Sequence, residues 1–365
     1  MDGQKKFIYL ALVIFSLIVS LLATELALRI YNHFYPLYIF YDDSYNRFRG
    51  KPFAQNWDFK LNSQGFNDFE FTEKKASVYR ILGIGDSFVY GVVPHRYNFL
   101  TLLQSRLRAR RFNVEVLNMG IPSTGPKEYL ALLLREGLAL RPDMLLVSFF
   151  VGNDFTDSRR RGSRRWYTYS YVTSLLRYFV MTRRQYAGRL GHTGAVYCDD
   201  CPTFESSTYL EIEKRRSFIY LAGDQDFEKL LQNAMFYVKE IQQLCRIKKI
   251  DFAVVIIPDE VQVNRALQTK VRSMFPEALQ EKWNITEPTD RFTAALTKEK
   301  IRYIDLLPRF LVEGKVRSLY KPRDSHWNIA GNQIAAEIIE NNIGHDLEQR
   351  QIEKLPGAVS KQTAP

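Results

Sequence analysis

Cysteine and histidine are scarce in this sequence: 365 residues hold three of the first and five of the second. Cys198 and Cys201 make one CxxC, and no second pair follows, so the ligand spacing of a structural zinc site is missing. A thioredoxin-like context is missing too. Outside the cytoplasm the pair closes a small disulfide loop, inside it remains as two thiols, and the spacing is compatible with both. Cys245 has no evident role. No internal repeat appears. Acidic residues nearly vanish from 155–192, where nine Arg accompany one acid, Asp157, so that segment holds +8 of the net +11. Basicity is therefore local, and a nucleic-acid partner is not expected. The chain also lacks any charge in residues 7–24, FIYLALVIFSLIVSLLAT. At about 1.5 Å per residue this run reaches roughly 27 Å, close to the hydrocarbon core of a bilayer. No A-x-A cleavage site follows, because residues 25–29 read ELALR. The expectation is an uncleaved signal anchor over 7–29. Residues 1–6, with Lys5 and Lys6, form a cytoplasmic tail, and everything after the helix lies outside. Glu25 and Arg29 can pair on one helical face.

From about residue 78 short β-branched runs alternate with amphipathic ones. VYRILGIG, VEVLNMG, MLLVSFFVGND, DFAVVIIP and RYIDLL read as strands. Between and after them, NFLTLLQSRLRARR, PKEYLALLLREGLAL, FEKLLQNAMFYVKEIQQLCRIKK, RFTAALTKEK and WNIAGNQIAAEIIENNI read as helices. This alternation predicts a parallel sheet covered on both faces. The expected fold class is a three-layer α/β/α, flavodoxin-like sandwich of about five parallel strands, preceded by one transmembrane helix. Residues 30–77 read as a lead-in, 78–345 as the domain with a basic insertion over 155–225, and 346–365 as a flexible tail.

In such sheets sites form beyond the carboxyl ends of the strands. The polar clusters of this sequence fall there: Gly85-Asp86-Ser87, Asn118-Met119-Gly120, Gly152-Asn153-Asp154, and Asp324-Ser325-His326-Trp327-Asn328 before the last helix. Acyl transfer needs a nucleophile, a base, a group that orients the base, and donors for an oxyanion. Ser87 is the candidate nucleophile, at a helix start whose dipole favours negative charge. His326 is the candidate base, and Asp324 the acid that fixes its tautomer. The backbone N–H groups of Ser87 and Gly120 and the Asn153 amide are the candidate oxyanion donors. Asp86 and Asp154 read as structural acids that shape their turns. Alone, each cluster has a bland reading as a turn or a helix cap; their order and placement favour the joint one.

These four blocks, GDSF, LNMG, GND and DSHWN, resemble those of the SGNH/GDSL hydrolase superfamily, named for Ser, Gly, Asn and His. The resemblance covers roughly 78–342. It implies attack of Ser87 on an ester carbonyl, Gly120 and Asn153 at the oxyanion, His326 as base and then acid, and no cofactor or metal. Many members carry Asp three residues before the His, where this chain has Arg323. Asp324 matches an Asp-x-His version, similar to that of proteins that add or remove acetyl groups on bacterial exopolysaccharides. Asn62-Ser63-x-Gly65-Phe66 also resembles a segment of membrane-anchored bacterial members. Those continue with Arg where this chain has Asn67, to which no role is assigned.

The resemblance leaves three functions open: an esterase acting on O-acyl, chiefly acetyl, esters of a cell-surface glycan or lipid; an O-acetyltransferase with a sugar hydroxyl as acceptor; and a glycan-binding protein of the same fold. The basic insertion reads as a helix within 168–184, with Tyr171, Leu175, Leu176, Tyr178, Phe179 and Met181 as apolar cover. It can wall the site, rest on an anionic membrane, bind an acidic glycan, or lie solvated on the domain.

Overall fold

The computed structural model describes residues 2–34, 45–158, 170–186 and 196–353. They fall into two compact units, one within Met1–Phe48 and Arg160–Arg189, the other within Arg49–Arg159 and Leu190–Pro365.

In the first unit the helix Asp2–Phe34 contains Gly3–Phe34, which is long and apolar enough to cross a membrane. Its apolar residues are exposed all round, as on a helix that has no aqueous face. A second helix, Tyr171–Tyr186, begins beside it. Glu25 accepts the N–H groups of Tyr171 and Val172 at 3.0 Å each and the Ser170 hydroxyl at 2.8 Å, so it caps donors that a helix start leaves unpaired. Arg29 pairs with Glu25 at 2.7 Å and lies over the Tyr171 ring. The helix lies in the expected stretch and continues past 184 to Tyr186; residues 168–169 and the Met181 side chain lie outside the described part. Tyr171, Leu175 and Tyr178 are half-buried, but Leu176 and Phe179, expected as cover, are 61% and 55% exposed.

The second unit is built on five parallel strands: β1 (Tyr79–Gly85), β2 (Val114–Gly120), β3 (Met144–Phe150), β4 (Asp251–Ile257) and β5 (Tyr303–Asp305). Their order is β2-β1-β3-β4-β5. Each strand is an apolar run because both of its faces are covered. Ala253, Val255 and Ile257 of β4 face one core with Leu103, Leu107, Ile339 and Ile343. Val254 and Ile256 face the other with Phe227, Ala234, Val238 and Phe292. The helices Phe99–Ala109 and Ile329–Glu353 therefore cover one side, and Gln225–Lys248 and Glu287–Lys298 the other. Their starts follow local chemistry: Asn98 accepts from the N–H of Leu100, and Asp224 from those of Asp226 and Phe227.

Two boundaries differ from the expected ones. Residues 49–77 carry little regular structure beyond a short pair, Gln55–Asn56 with Phe59–Lys60, yet they belong to the sheet unit. The final helix continues past 345 to Glu353; residues 354–365 lie outside the described part.

At the amino edge of the sheet Arg80 is 1% exposed. Its guanidinium donates to Glu115 at 2.7 Å and to the Leu140 and Thr72 carbonyls at 2.7 and 2.9 Å. It ties residues 49–77 to β2. Arg80→Met removes all three bonds and strands two carbonyls and a carboxylate. The expected cost is about 2–4 kcal/mol, seen as a lower denaturant midpoint at unchanged slope for the whole chain in detergent micelles.

Candidate active site

β1 stops at Gly85 because Asp86 caps a single helical turn, Ser87–Tyr90: its carboxylate accepts the Phe88 N–H at 2.9 Å. Ser87 is thereby raised at the carboxyl end of β1, at a turn whose first N–H groups lack intrahelical acceptors. Three asparagines hold the far end of that turn. Asn98 and Asn118 donate to the Val89 carbonyl at 2.9 and 2.7 Å, and Asn67 to the Tyr90 carbonyl at 2.8 Å. Asn67, read as without a role, thus carries the contact of 49–77 with the serine turn. A single sequence gave no sign of it because the partner is a backbone atom in another segment.

Gly120 ends β2 directly under this turn. A Cβ there would run into the backbone of Val89 and Tyr90. Glycine is needed for this close approach. Its N–H, expected as an oxyanion donor, is engaged elsewhere: it donates to the Asn118 side chain at 2.9 Å. Strand-end geometry folds Asn118 back on the donor two residues ahead, and spacing alone does not reveal this.

Before the last helix, residues 321–329 form a turn, with the Lys321 N–H on the His326 carbonyl at 2.9 Å and the Asp324 N–H on the Lys321 carbonyl at 3.1 Å. Arg323, where many SGNH members have Asp, takes φ 51° in the left-handed region. The turn aims His326 at β1. Its Nε2 lies 2.7 Å from Ser87 Oγ and its Nδ1 2.6 Å from Asp324 Oδ1. The carboxylate accepts a hydrogen bond from Nδ1–H, and in that tautomer Nε2 is the acceptor for the serine hydroxyl. Phe88 packs against the imidazole with ring centroids 5.1 Å apart, and Trp327 packs in turn on Phe88 at 5.0 Å.

Burial works to raise the Asp324 carboxyl, but the charge of His326, its two hydrogen bonds and the Thr203 hydroxyl outweigh it and hold the group at about 2. Thr203, at 2.6 Å from Asp324 Oδ2, lies in the insertion and was not anticipated. Asp86 and Asp154 behave oppositely. Burial pushes both above the usual range, for Asp86 against the Phe88 N–H, the His326 charge and the Asn153 side chain. Asp154 is held by the Phe150 N–H at 2.9 Å and the Tyr129 hydroxyl at 3.0 Å. Asn153 starts the turn Asp154–Asp157, half-buried, with its side-chain oxygen buried and unbonded. The structure thus brings Ser87, His326 and Asp324 into one line, places Asn153 against Asp86 beside it, and pairs the Gly120 N–H with Asn118. A cavity of about 560 Å³ beyond β4 and β5, lined by Glu260, Asn264, Arg265, Arg317 and Tyr320 among others, includes none of them. Among the described residues no His, Cys, Asp and Glu cluster could hold a metal ion.

Residues 220–363 match the family described as the SGNH hydrolase-like domain of the acetyltransferase AlgX. That range includes Asp324 and His326, and the resemblance read from the four blocks is borne out. Solved structures similar to this chain include a putative acylhydrolase from Bacteroides fragilis, at 10% identity over 76% of this chain and 92% of that one, TM-score 0.40. The lipase/acylhydrolase from Enterococcus faecalis gives 14%, 73%, 96% and 0.40. A mutant of the acetyl-xylooligosaccharide esterase Axe2 from Geobacillus gives 12%, 73%, 94% and 0.42. No curated protein matches the chain.

The low value of Asp324 has a stability consequence. A carboxyl held near 2 in the folded chain and near 3.8 when unfolded binds fewer protons folded. It contributes about 2 kcal/mol above roughly pH 4, lost as the pH falls through the folded value. The stability gap between wild type and Asp324→Asn, from denaturant midpoints, is expected to shrink by about that amount between pH 5 and pH 2. A gap constant with pH would show that the native carboxylate is not held low.

Proposed function

We propose that this chain is a serine esterase that works through an acyl-serine intermediate, with Ser87 as nucleophile, His326 as general base and then acid, and Asp324 as the group that orients and charges the imidazole. The observation that carries this reading is the unbroken line Ser87 Oγ–His326 Nε2 at 2.7 Å and His326 Nδ1–Asp324 Oδ1 at 2.6 Å. Ser87 gives its proton to Nε2 as its oxygen attacks the ester carbonyl. The imidazolium that forms is stabilised by Asp324. The oxyanion meets the Ser87 N–H and the Asn153 amide, each such donor typically being worth about 10²–10³ in rate. His326 returns the proton to the leaving oxygen, and a second acceptor, activated in the same way, releases the acyl group and frees Ser87.

Water as that acceptor makes an esterase. A sugar hydroxyl makes an O-acetyltransferase, and the match to an acetyltransferase domain favours keeping that second reading. We assign the substrate to acyl, chiefly acetyl, esters of a cell-surface glycan or lipid. The apolar helix Gly3–Phe34 supports an anchor in the cytoplasmic membrane, with the catalytic unit on the outer side.

The test uses the full chain in detergent micelles with an aryl acetate. Ser87→Ala and His326→Ala are each expected to lower kcat/KM by about 10³-fold or more while the fold is retained. Adding candidate sugars then partitions the acyl group: constant acetate release marks an esterase, and acetylated sugar formed at its expense marks a transferase. A wild type no faster than the variants, with glycan affinity unchanged by Ser87→Ala, would show a binding protein instead.

A further inference from the structure

The arm that bears Asp324 and His326 does not stand alone. It packs on a short segment, residues 197–203, from the far end of the basic insertion. Cys198 and Cys201 of that segment form a disulfide, their Cα atoms 5.4 Å apart. The segment has almost no regular secondary structure, so the covalent link adds to its hydrogen bonds in limiting its conformations.

Its contacts with the arm fall on both sides of the imidazole. Before it, the Thr203 hydroxyl donates to Asp324 Oδ2 at 2.6 Å and the Thr203 N–H to the Pro322 carbonyl at 3.1 Å. Lys321 donates to the Cys198 carbonyl at 2.8 Å and lies 4.4 Å above the Tyr197 ring. After it, Asp199 accepts the Ile329 N–H at 3.1 Å, at the start of the final helix, and is itself held by the Tyr197 hydroxyl. Asp324 is almost fully buried, with a side chain 7% exposed. Its Oδ1 serves the imidazole and the His326 N–H, at 2.6 and 3.1 Å. Its Oδ2 bonds Thr203. With that hydroxyl removed, the carboxylate keeps partners on one oxygen only and can turn about its own bond.

We propose that the disulfide-closed loop 197–203 is a clamp that sets the register of the Asp324–His326 arm, with Thr203 as the positioning residue for the acid. The proposal deepens the triad reading and rests on it. Its consequence is that turnover depends on the oxidised state of the Cys198–Cys201 pair. A dithiol such as dithiothreitol cleaves the disulfide by exchange, the two cysteines becoming thiols as the dithiol becomes a cyclic disulfide, and the loop is then held only by its hydrogen bonds.

The experiment uses the full chain in micelles. Thr203→Val keeps the shape and removes the hydroxyl; Thr203→Ser keeps the hydroxyl. Misplacement of a catalytic group by about an ångström can cost up to about 10²-fold. Thr203→Val is therefore expected to lose about tenfold to a hundredfold in kcat for an aryl acetate, with KM and thermal midpoint near wild type. Thr203→Ser should keep most of the rate. Cys198→Ala/Cys201→Ala should lose rate as the reduced wild type does, with no further loss on adding dithiothreitol. A readout that needs no turnover is the far-downfield proton resonance of the His326 Nδ1–H in ¹⁵N-histidine-labelled protein, expected to shift or broaden in Thr203→Val and on reduction. Wild-type rates and an unchanged resonance in Thr203→Val and in the double alanine variant would overturn the clamp. Equal losses in Thr203→Val and Thr203→Ser would overturn the role of the hydroxyl. If wild type shows no Ser87-dependent hydrolysis, the esterase reading fails, and the resonance still decides the clamp.

Discussion

The hydrogen bond between Ser87 and His326 joins two parts of the chain 239 residues apart, and the remainder of the site is arranged around it. It forms only if β1 delivers the serine turn at the carboxyl edge and the 321–329 turn folds back over that edge. The sheet order satisfies the first demand by placing β1 between β2 and β3, so that polar groups at three neighbouring strand ends converge. The second depends on a short turn with Arg323 at positive φ and on the final helix, whose Asn332 accepts the Phe99 N–H at 3.1 Å and so pins one helix to the other. Packing does the rest. Trp327 is 2% exposed among Phe88, Phe99 and Phe310, so the residue next to His326 is fixed in the core.

The acids of the site differ because their surroundings differ. Asp324 has a cation-forming ring, two N–H donors and a hydroxyl around it, and these overcome desolvation. Asp86 and Asp154 are fully buried and desolvation prevails over their donors, with the charges of Asp86 and Asp157 adding to it at Asp154. Environment thus separates one carboxylate that stays charged beside an imidazole from two that shape turns. The serine turn also shows what residues 49–77 contribute: Asp68 accepts the Asn118 N–H at 2.7 Å, and Asn67 holds the Tyr90 carbonyl. A segment without periodicity thus helps to fix the turn that carries Ser87.

Much of this was legible in the sequence, for identifiable reasons. Five apolar runs gave the strands, and the Gly, Asn, Asp and Ser residues that close three of them gave the polar edge, because buried parallel strands must be apolar and sites collect where they stop. Ser87 could be singled out because it lies at such an end, and Asp324 and His326 because they form a polar cluster just before the last helix. The contributions of Gly120 and Asn67 were not, since both depend on the backbone of Val89 and Tyr90 reached across the fold. Thr203 was hidden for another reason: it lies in an insertion whose arginines and aromatics drew attention to composition rather than to single residues. The CxxC stayed open between thiols and disulfide, and the structure closes it as Cys198–Cys201.

The most direct measurement of the central claim is covalent. A fluorophosphonate reacts with a serine only where a base activates the hydroxyl and donors meet the developing charge. The account predicts one adduct on the intact chain, mapped by mass spectrometry to Ser87 and lost in His326→Ala. Absence of an adduct from folded wild type, or an adduct on another serine that persists without His326, would contradict it.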